Sequence, residues 1–165
     1  MREPSESPRR PPWPAFLATV MAVMLLDIIS KMVVVRYLGP DAGRQGVEVL
    51  PSYIEFTSSE NSGIAFGLLR GNSTLVWMLV VAALAGTALF VVRTISTASR
   101  ALAIVMGLVA GGGLANLINR IANGHVIDFL ELWRWPSFNL ADASITLGVI
   151  ALLVLLVRQE SLHGR

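Results

Sequence analysis

Residues 111–142 read GGGLANLINRIANGHVIDFLELWRWPSFNLAD, and the way this stretch folds decides the architecture of the whole chain. Three consecutive glycines lead into the end of an apolar helical segment that carries Asn116, Asn119 and Arg120. A short non-helical run then holds Asp128 and Glu131, and Asn139 and Asp142 open the last apolar segment. Two carboxylates thus flank the connection between two hydrophobic spans. Charge at a membrane edge is costly, so ionisable residues there form a functional hypothesis from the outset.

The composition supports that setting. Hydrophobic residues make up 54% of the 165 and charged residues 15%, with a mean hydropathy of +0.64. Soluble chains carry about 25% charged residues, so this is a membrane composition, and the length fits one domain. A net charge of +2, with its basic residues dispersed, argues against a nucleic-acid partner. The absence of cysteine excludes disulfides, a thiol nucleophile and thiolate metal sites. His125 and His163 are the only histidines and form no metal-binding pattern, so no metal is expected.

Four apolar runs, at about 14–37, 73–93, 100–120 and 140–158, are each long enough to cross a hydrocarbon core of ~30 Å. The predicted fold is an all-α polytopic membrane protein: four transmembrane helices with a small extracytoplasmic β element on the membrane surface, forming one domain over 14–158. The Pro- and Arg-rich residues 1–13 read as a disordered cytoplasmic tail. The apolar pattern continues past Asp27 and Lys31, which speaks against a cleaved signal peptide. Residues 159–165 form a second cytoplasmic tail. Gly39 and Pro40 signal a turn. Residues 47–50 and 53–57 alternate as strands do, with Tyr53, Glu55 and Thr57 on one face and Ile54 and Phe56 on the other. The run 60–69 reads either as a loop whose apolar end dips into the interface, or as a segment in which Asn61 supplies an amide and Gly63 permits close backbone approach. Four spans leave both termini on one side. The basic residues of the tail, with Arg93, Arg100, Arg158 and Arg165, are denser there than those opposite, so that side is read as cytoplasmic. Asn61, Asn116, Arg120, Asp128, Asn139 and Asp142 then converge on one depth, near the outer leaflet.

The chemistry follows from these residue types. Asp27 and Lys31 stand four apart and share a helix face, as an ion pair that makes both tolerable in lipid and as structural support for a polar site. Asn139 and Asp142 have the spacing of an N-cap and its N3 residue, where a carboxylate meets free N–H groups. Asp128 lies between Val126-Ile127 and Phe129-Leu130, a setting that favours its protonated form. Two carboxylates in such different surroundings suit an aspartic peptidase, in which a close pair shares one proton and divides acid and base roles. Asn61, Gly63, Asn116, Arg120 and Asn139 are candidates to orient carboxylates and substrate, with Asn119 as further polar support. Glu131 would face away from Asp128 in an extended run, and His125 reads as a surface residue. No G-x-S-x-G elbow supports serine hydrolysis. The competing reading is a small ion- or proton-coupled carrier using Asp27, Lys31 and Asp142, against which stand the lack of an inverted repeat and of a broken span.

Five blocks, Asp27-x-x-x-Lys31, Asn61-x-Gly63-x-Ala65-Phe66, Gly111-Gly112-x-x-x-Asn116-x-x-x-Arg120, Val126-Ile127-Asp128-Phe129 and Phe138-Asn139-Leu140-Ala141-Asp142, occur in an order that closely resembles the lipoprotein signal peptidase (signal peptidase II) family. The resemblance implies a bacterial inner-membrane aspartic endopeptidase that removes signal peptides from diacylglyceryl-modified prolipoproteins, cutting on the amino side of the lipidated cysteine. It implies Asp128 and Asp142 as the catalytic dyad, no metal or organic cofactor, and occupation of the site by the antibiotic globomycin. We expect a monomer in contact with membrane lipid. Two positions depart from the family pattern, which has Gly where Ala115 stands and Asp where Asn119 stands. Neither is a dyad position: small-residue packing can absorb the methyl of Ala115, and Asn119 removes a carboxylate next to the site but keeps a hydrogen-bonding side chain.

Overall fold

The computed structural model describes residues 10–39, 46–63 and 73–163, the side chains of 73 and 159–163 excepted. Residues 1–9 of the expected tail, Pro40 of the turn signal, residues 64–69 of the Asn61 segment and residues 164–165 lie outside the described residues.

Helix α1 (Trp13–Leu38) follows Pro12 at its N-cap and holds Pro14 in its first turn, where the missing N–H has no intrahelical partner to lose. Its buried residues, Phe16, Val20, Val23, Asp27, Lys31 and Val34, recur every three or four positions and form a single stripe. Large apolar side chains cover the other faces, Met32 at 67% exposure among them, whereas Asp27 and Lys31 are 0% and 3% exposed. Charge inside and hydrocarbon outside is the arrangement lipid favours. Helices α2 (Ser73–Thr94), α3 (Arg100–Asn123) and α4 (Leu140–His163) complete four helices long and apolar enough to cross a membrane. Helix α4 runs on to His163, past the end of its apolar run, because no Gly or Pro interrupts it before Gly164.

Helix α3 is central, packed along both α1 and α4 and more briefly against α2. Ser99 caps it by accepting from the Leu102 N–H, and Gly124, at φ 78°, ends it. The three glycines explain its position. A methyl on Gly111 would meet Val20 and Val23 of α1 at 3.0–3.1 Å, one on Gly112 would lie 2.5 Å from Ala141 O of α4, and one on Gly113 would meet Leu84 of α2 at 2.9 Å. Each glycine admits a different neighbour. Near the other end of α3, Phe16, Val20, Val91, Ile95, Ala103, Met106 and Ala110 form the apolar core.

The β element is larger than the alternation at 47–57 implies. Strands β1 (Val47–Leu50), β2 (Ile54–Asn61), β3 (Val126–Leu132) and β4 (Trp135–Phe138) form one antiparallel sheet in that order. Tyr53 lies in the β1–β2 turn, with its N–H bonded to Leu50 O at 2.9 Å, so β2 begins one residue later than expected and runs on to Asn61. The β3–β4 hairpin turns at Trp133, whose φ of 43° is unusual for a side-chain-bearing residue. Its N–H donates to Tyr53 O at 2.8 Å and Arg134 lies 4.8 Å over its ring. The two turns are thereby tied together. A bulge between Phe56 and Ser59 then sets Ser59 opposite Asp128 and Asn61 opposite Val126.

Candidate active site

The carboxylates are brought together by amides. Asp142 is near the start of α4, and Asn139 caps that helix: the Asp142 N–H donates to Asn139 Oδ1 at 2.9 Å, and the Asn139 N–H reaches back to Asp142 Oδ2 at 3.4 Å. The three-residue spacing is thus realised as a reciprocal cap. Asn139 also turns its side-chain Nδ2 onto Asp128 Oδ1 at 2.7 Å, so one residue touches both carboxylates. From β2, Asn61 Nδ2 donates to Asp128 Oδ2 at 2.9 Å. Asn61 is diagonal to Asp128 in the ladder, on the same face and within reach.

Helix α3 supplies the other half. Asn116 Nδ2 donates to Asp142 Oδ1 at 2.7 Å, while its Oδ1 accepts from Lys31 Nζ at 3.2 Å and from Asn139 Nδ2 at 3.3 Å. Lys31 in turn lies 2.7 Å from Asp27 Oδ2, a tight pair one turn apart on α1. Asp27 Oδ1 accepts the Ala141 N–H at 2.9 Å, so a carboxylate from α1 serves the first turn of α4, where backbone donors lack intrahelical partners. The Asp27–Lys31 pair is thus an ion pair that also bonds Asn116 of α3 and the Ala141 N–H of α4. One turn beyond Asn116, Arg120 donates from Nη2 to Gly63 O at 2.6 Å, and the Gly63 N–H donates to Asn61 Oδ1 at 3.0 Å. Both bonds hold the turn that aims Asn61.

Asp128 is 1% exposed. Burial raises its carboxyl to about 6, Asp142 adds to the rise, and the Asn61 and Asn139 hydrogen bonds with Lys31 oppose it. Asp142 is only partly buried and lines a cavity of about 710 Å³ between α2, α3, α4 and the sheet. Asn61, Asn116 and Arg120 share that lining, and the remaining walls are mostly apolar. Such a cavity offers one polar end to a peptide bond and an apolar body to hydrocarbon. Asp27 and Lys31 are not among its lining residues, which disfavours a carrier that loads ions on them.

Asn61, Gly63, Asn116, Arg120, Asp128, Asn139 and Asp142 are thus connected, with Asp27 and Lys31 one bond removed. Asn119 accepts from the Ile127 N–H at 2.7 Å, and Ala115 is buried with its extra methyl accommodated. Glu131 stands beside Glu55 in the ladder, three residues along the strand from Asp128 and so on its other face. His125 lies 3.7 Å from the exposed Glu60. Sequence reasoning missed the Ala141 N–H and the fit of Gly112 against α4. The glycine run was the available signal for close packing, but which helix each glycine admits was not encoded in it.

Residues 19–158 match the family model described as signal peptidase (SPase) II. The lipoprotein signal peptidase of Syntrophomonas wolfei is 41% identical over 143 residues, covering 86% of this chain and 92% of that protein. That of Moorella thermoacetica is 36% identical over 150 residues, covering 91% and 97%. A bacterial membrane enzyme solved by the in meso method at 2.3 Å resolution superposes with a TM-score of 0.76 at 26% identity, over 88% of this chain and 89% of that one. The chain belongs to the signal peptidase II family.

Proposed function

We propose that Asp128 and Asp142 are the catalytic dyad of a membrane aspartic endopeptidase that removes signal peptides from diacylglyceryl-modified prolipoproteins, cutting on the amino side of the lipidated cysteine. The observation that carries the dyad is Asn139, which bonds both carboxylates, from its side chain to Asp128 and from its backbone to Asp142. In the proposed mechanism the two carboxylates share one proton, as like charges held close together do. The ionised member takes a proton from water as the oxygen attacks the scissile carbonyl, and the protonated member donates to the carbonyl oxygen. Later the leaving amine is protonated and the amide bond breaks. The dyad titrates as a unit, so neither role is tied to one residue. Asn61, Asn116 and Asn139 hold the carboxylates without adding charge, and Arg120 with Gly63 fixes the turn beside them.

The protein works as a monomer in the bacterial inner membrane, with both termini cytoplasmic and the site near the outer leaflet. The density of basic residues on the side of the termini supports that orientation, and the apolar cavity walls suit the acyl chains of a lipidated substrate. The test is cleavage of a diacylglyceryl-modified prolipoprotein by the purified, detergent-solubilised protein. Asp128→Asn and Asp142→Asn should each lower the rate by about 10³-fold. Full cleavage by both variants would sink the dyad.

A further inference from the structure

Strand β3 carries Asp128, and its two edges are supported differently. β2 pairs with it along most of its length, including Glu60 opposite Ile127. β4 pairs with it only at Leu130 and Leu132. Before Leu130, the edge turned from β2 has no strand beside it among the described residues, yet Val126 and Asp128 are 2% and 1% exposed. An N–H left without an acceptor in this part-buried setting would be destabilising. Asn119 supplies the missing acceptor: its Oδ1 takes the Ile127 N–H at 2.7 Å. Helix α3 thus reaches three parts of the site, Asp142 through Asn116, the backbone ahead of Asp128 through Asn119, and Gly63 through Arg120.

We propose that Asn119 is the positioning residue for Asp128, an uncharged acceptor that replaces the absent strand partner and fixes β3 one residue before the carboxyl. The proposal rests on the dyad reading. An amide makes this bond without placing a third negative charge beside Asp128 and Asp142. The charged groups that face Asp128 are Asp142 from α4, Lys31 from α1 and Arg120 from α3, while β2 contributes the uncharged amide of Asn61 and keeps Glu60 exposed.

The experiment compares Asn119→Leu and Asn119→Asp in the full chain, using the prolipoprotein cleavage assay across pH. Leu keeps the bulk and removes the acceptor, so kcat should fall about 100-fold, as for an ångström-scale misplacement, with KM changed less than about threefold. Asp restores the acceptor, so kcat at its optimum should return to within about threefold of the parent. Its added charge makes the dyad hold the shared proton more tightly, and the pH optimum should move upward. If Leu does not fold, Asn119→Ala carries the same comparison without bulk. The proposal is overturned if the Leu or Ala variant keeps kcat within about threefold, if Asp is as impaired as Leu, or if the Asp profile does not move. Measuring Asp128→Asn alongside separates the two ideas: an active Asp128→Asn defeats the dyad, whereas an inactive one beside an active Asn119→Leu defeats only the tether.

Discussion

Gly112→Ala should disable the site from one turn earlier on the face of α3 that carries Asn116. The added Cβ would lie 2.5 Å from Ala141 O and 2.8 Å from Ile145 Cγ1, where ordinary contact begins at 3.4 Å. The Ile145 side chain can swing away, but the Ala141 carbonyl is backbone in the first turn of α4. That turn must therefore retreat by about 0.9 Å, the shortfall against ordinary contact. It cannot do so alone, because the Ala141 N–H is bound to Asp27 and the next residue is Asp142, bound to Asn116 at 2.7 Å. A misplacement near 1 Å costs about 100-fold in rate, and overpacking of this kind costs about 1–3 kcal/mol of stability. The comparison is Gly113→Ala, whose Cβ meets only the Leu84 side chain within 3 Å, so it should keep nearly full activity. Prolipoprotein cleavage and thermal unfolding in detergent read both quantities. Equal activity in the two variants would refute the reasoning that α4 and Asp142 are positioned by the glycine contact.

Three further outcomes follow from the same network. Burial raises the Asp128 carboxyl from 3.8 to about 6, so its contribution to stability is fully present below about 3.8 and is lost as pH rises through about 6; detergent unfolding of the parent should show stability falling as pH rises across that window, a fall that Asp128→Asn should reduce. Asp27→Asn leaves Lys31 as an unpaired buried ammonium and should cost about 3–5 kcal/mol, and adding Lys31→Met should recover part of that loss; no recovery in the double variant would count against the ion pair as its source. Arg120→Lys forfeits the guanidinium bond to Gly63 O, and loss of one charged hydrogen bond corresponds to about 10–100-fold in kcat/KM, measured by cleavage at limiting substrate.

Much of the fold was legible in the sequence because membrane helices declare themselves through length and apolarity. The four spans, the Asp27–Lys31 pairing at one helical turn and the Asn139–Asp142 cap all follow from spacing within a single element. The sheet was only half legible. The alternation at 47–57 exposes β1 and the start of β2, but the pairing of β2 with β3 joins residues more than sixty positions apart, and no local pattern encodes such a register. Strand β4 is four residues long and holds Pro136, a residue that local propensity sets against a strand and that an edge strand tolerates. The candidate residues were recognisable by type, since polar groups are rare here, while their wiring was not: nothing local links Asn119 to Ile127 N–H, or Asp27 to Ala141 N–H.

The near-absence of exposure at Asp27 and Lys31, with Arg120 also buried beside the proposed dyad, has a consequence for which form of the enzyme is populated. Among the described residues, the ions at this centre are Asp27, Lys31, Arg120 and whatever charge Asp128 and the partly buried Asp142 carry. With a single proton on that pair the formal charges cancel, and the centre is electroneutral. Removing the proton, or adding a second, leaves a net charge in a low-dielectric setting, where an uncompensated ion costs several kcal/mol. The two cations on α1 and α3 thus do more than shape the site. They make the singly protonated pair, the form the proposed hydrolysis would use, also the form that the bilayer penalises least.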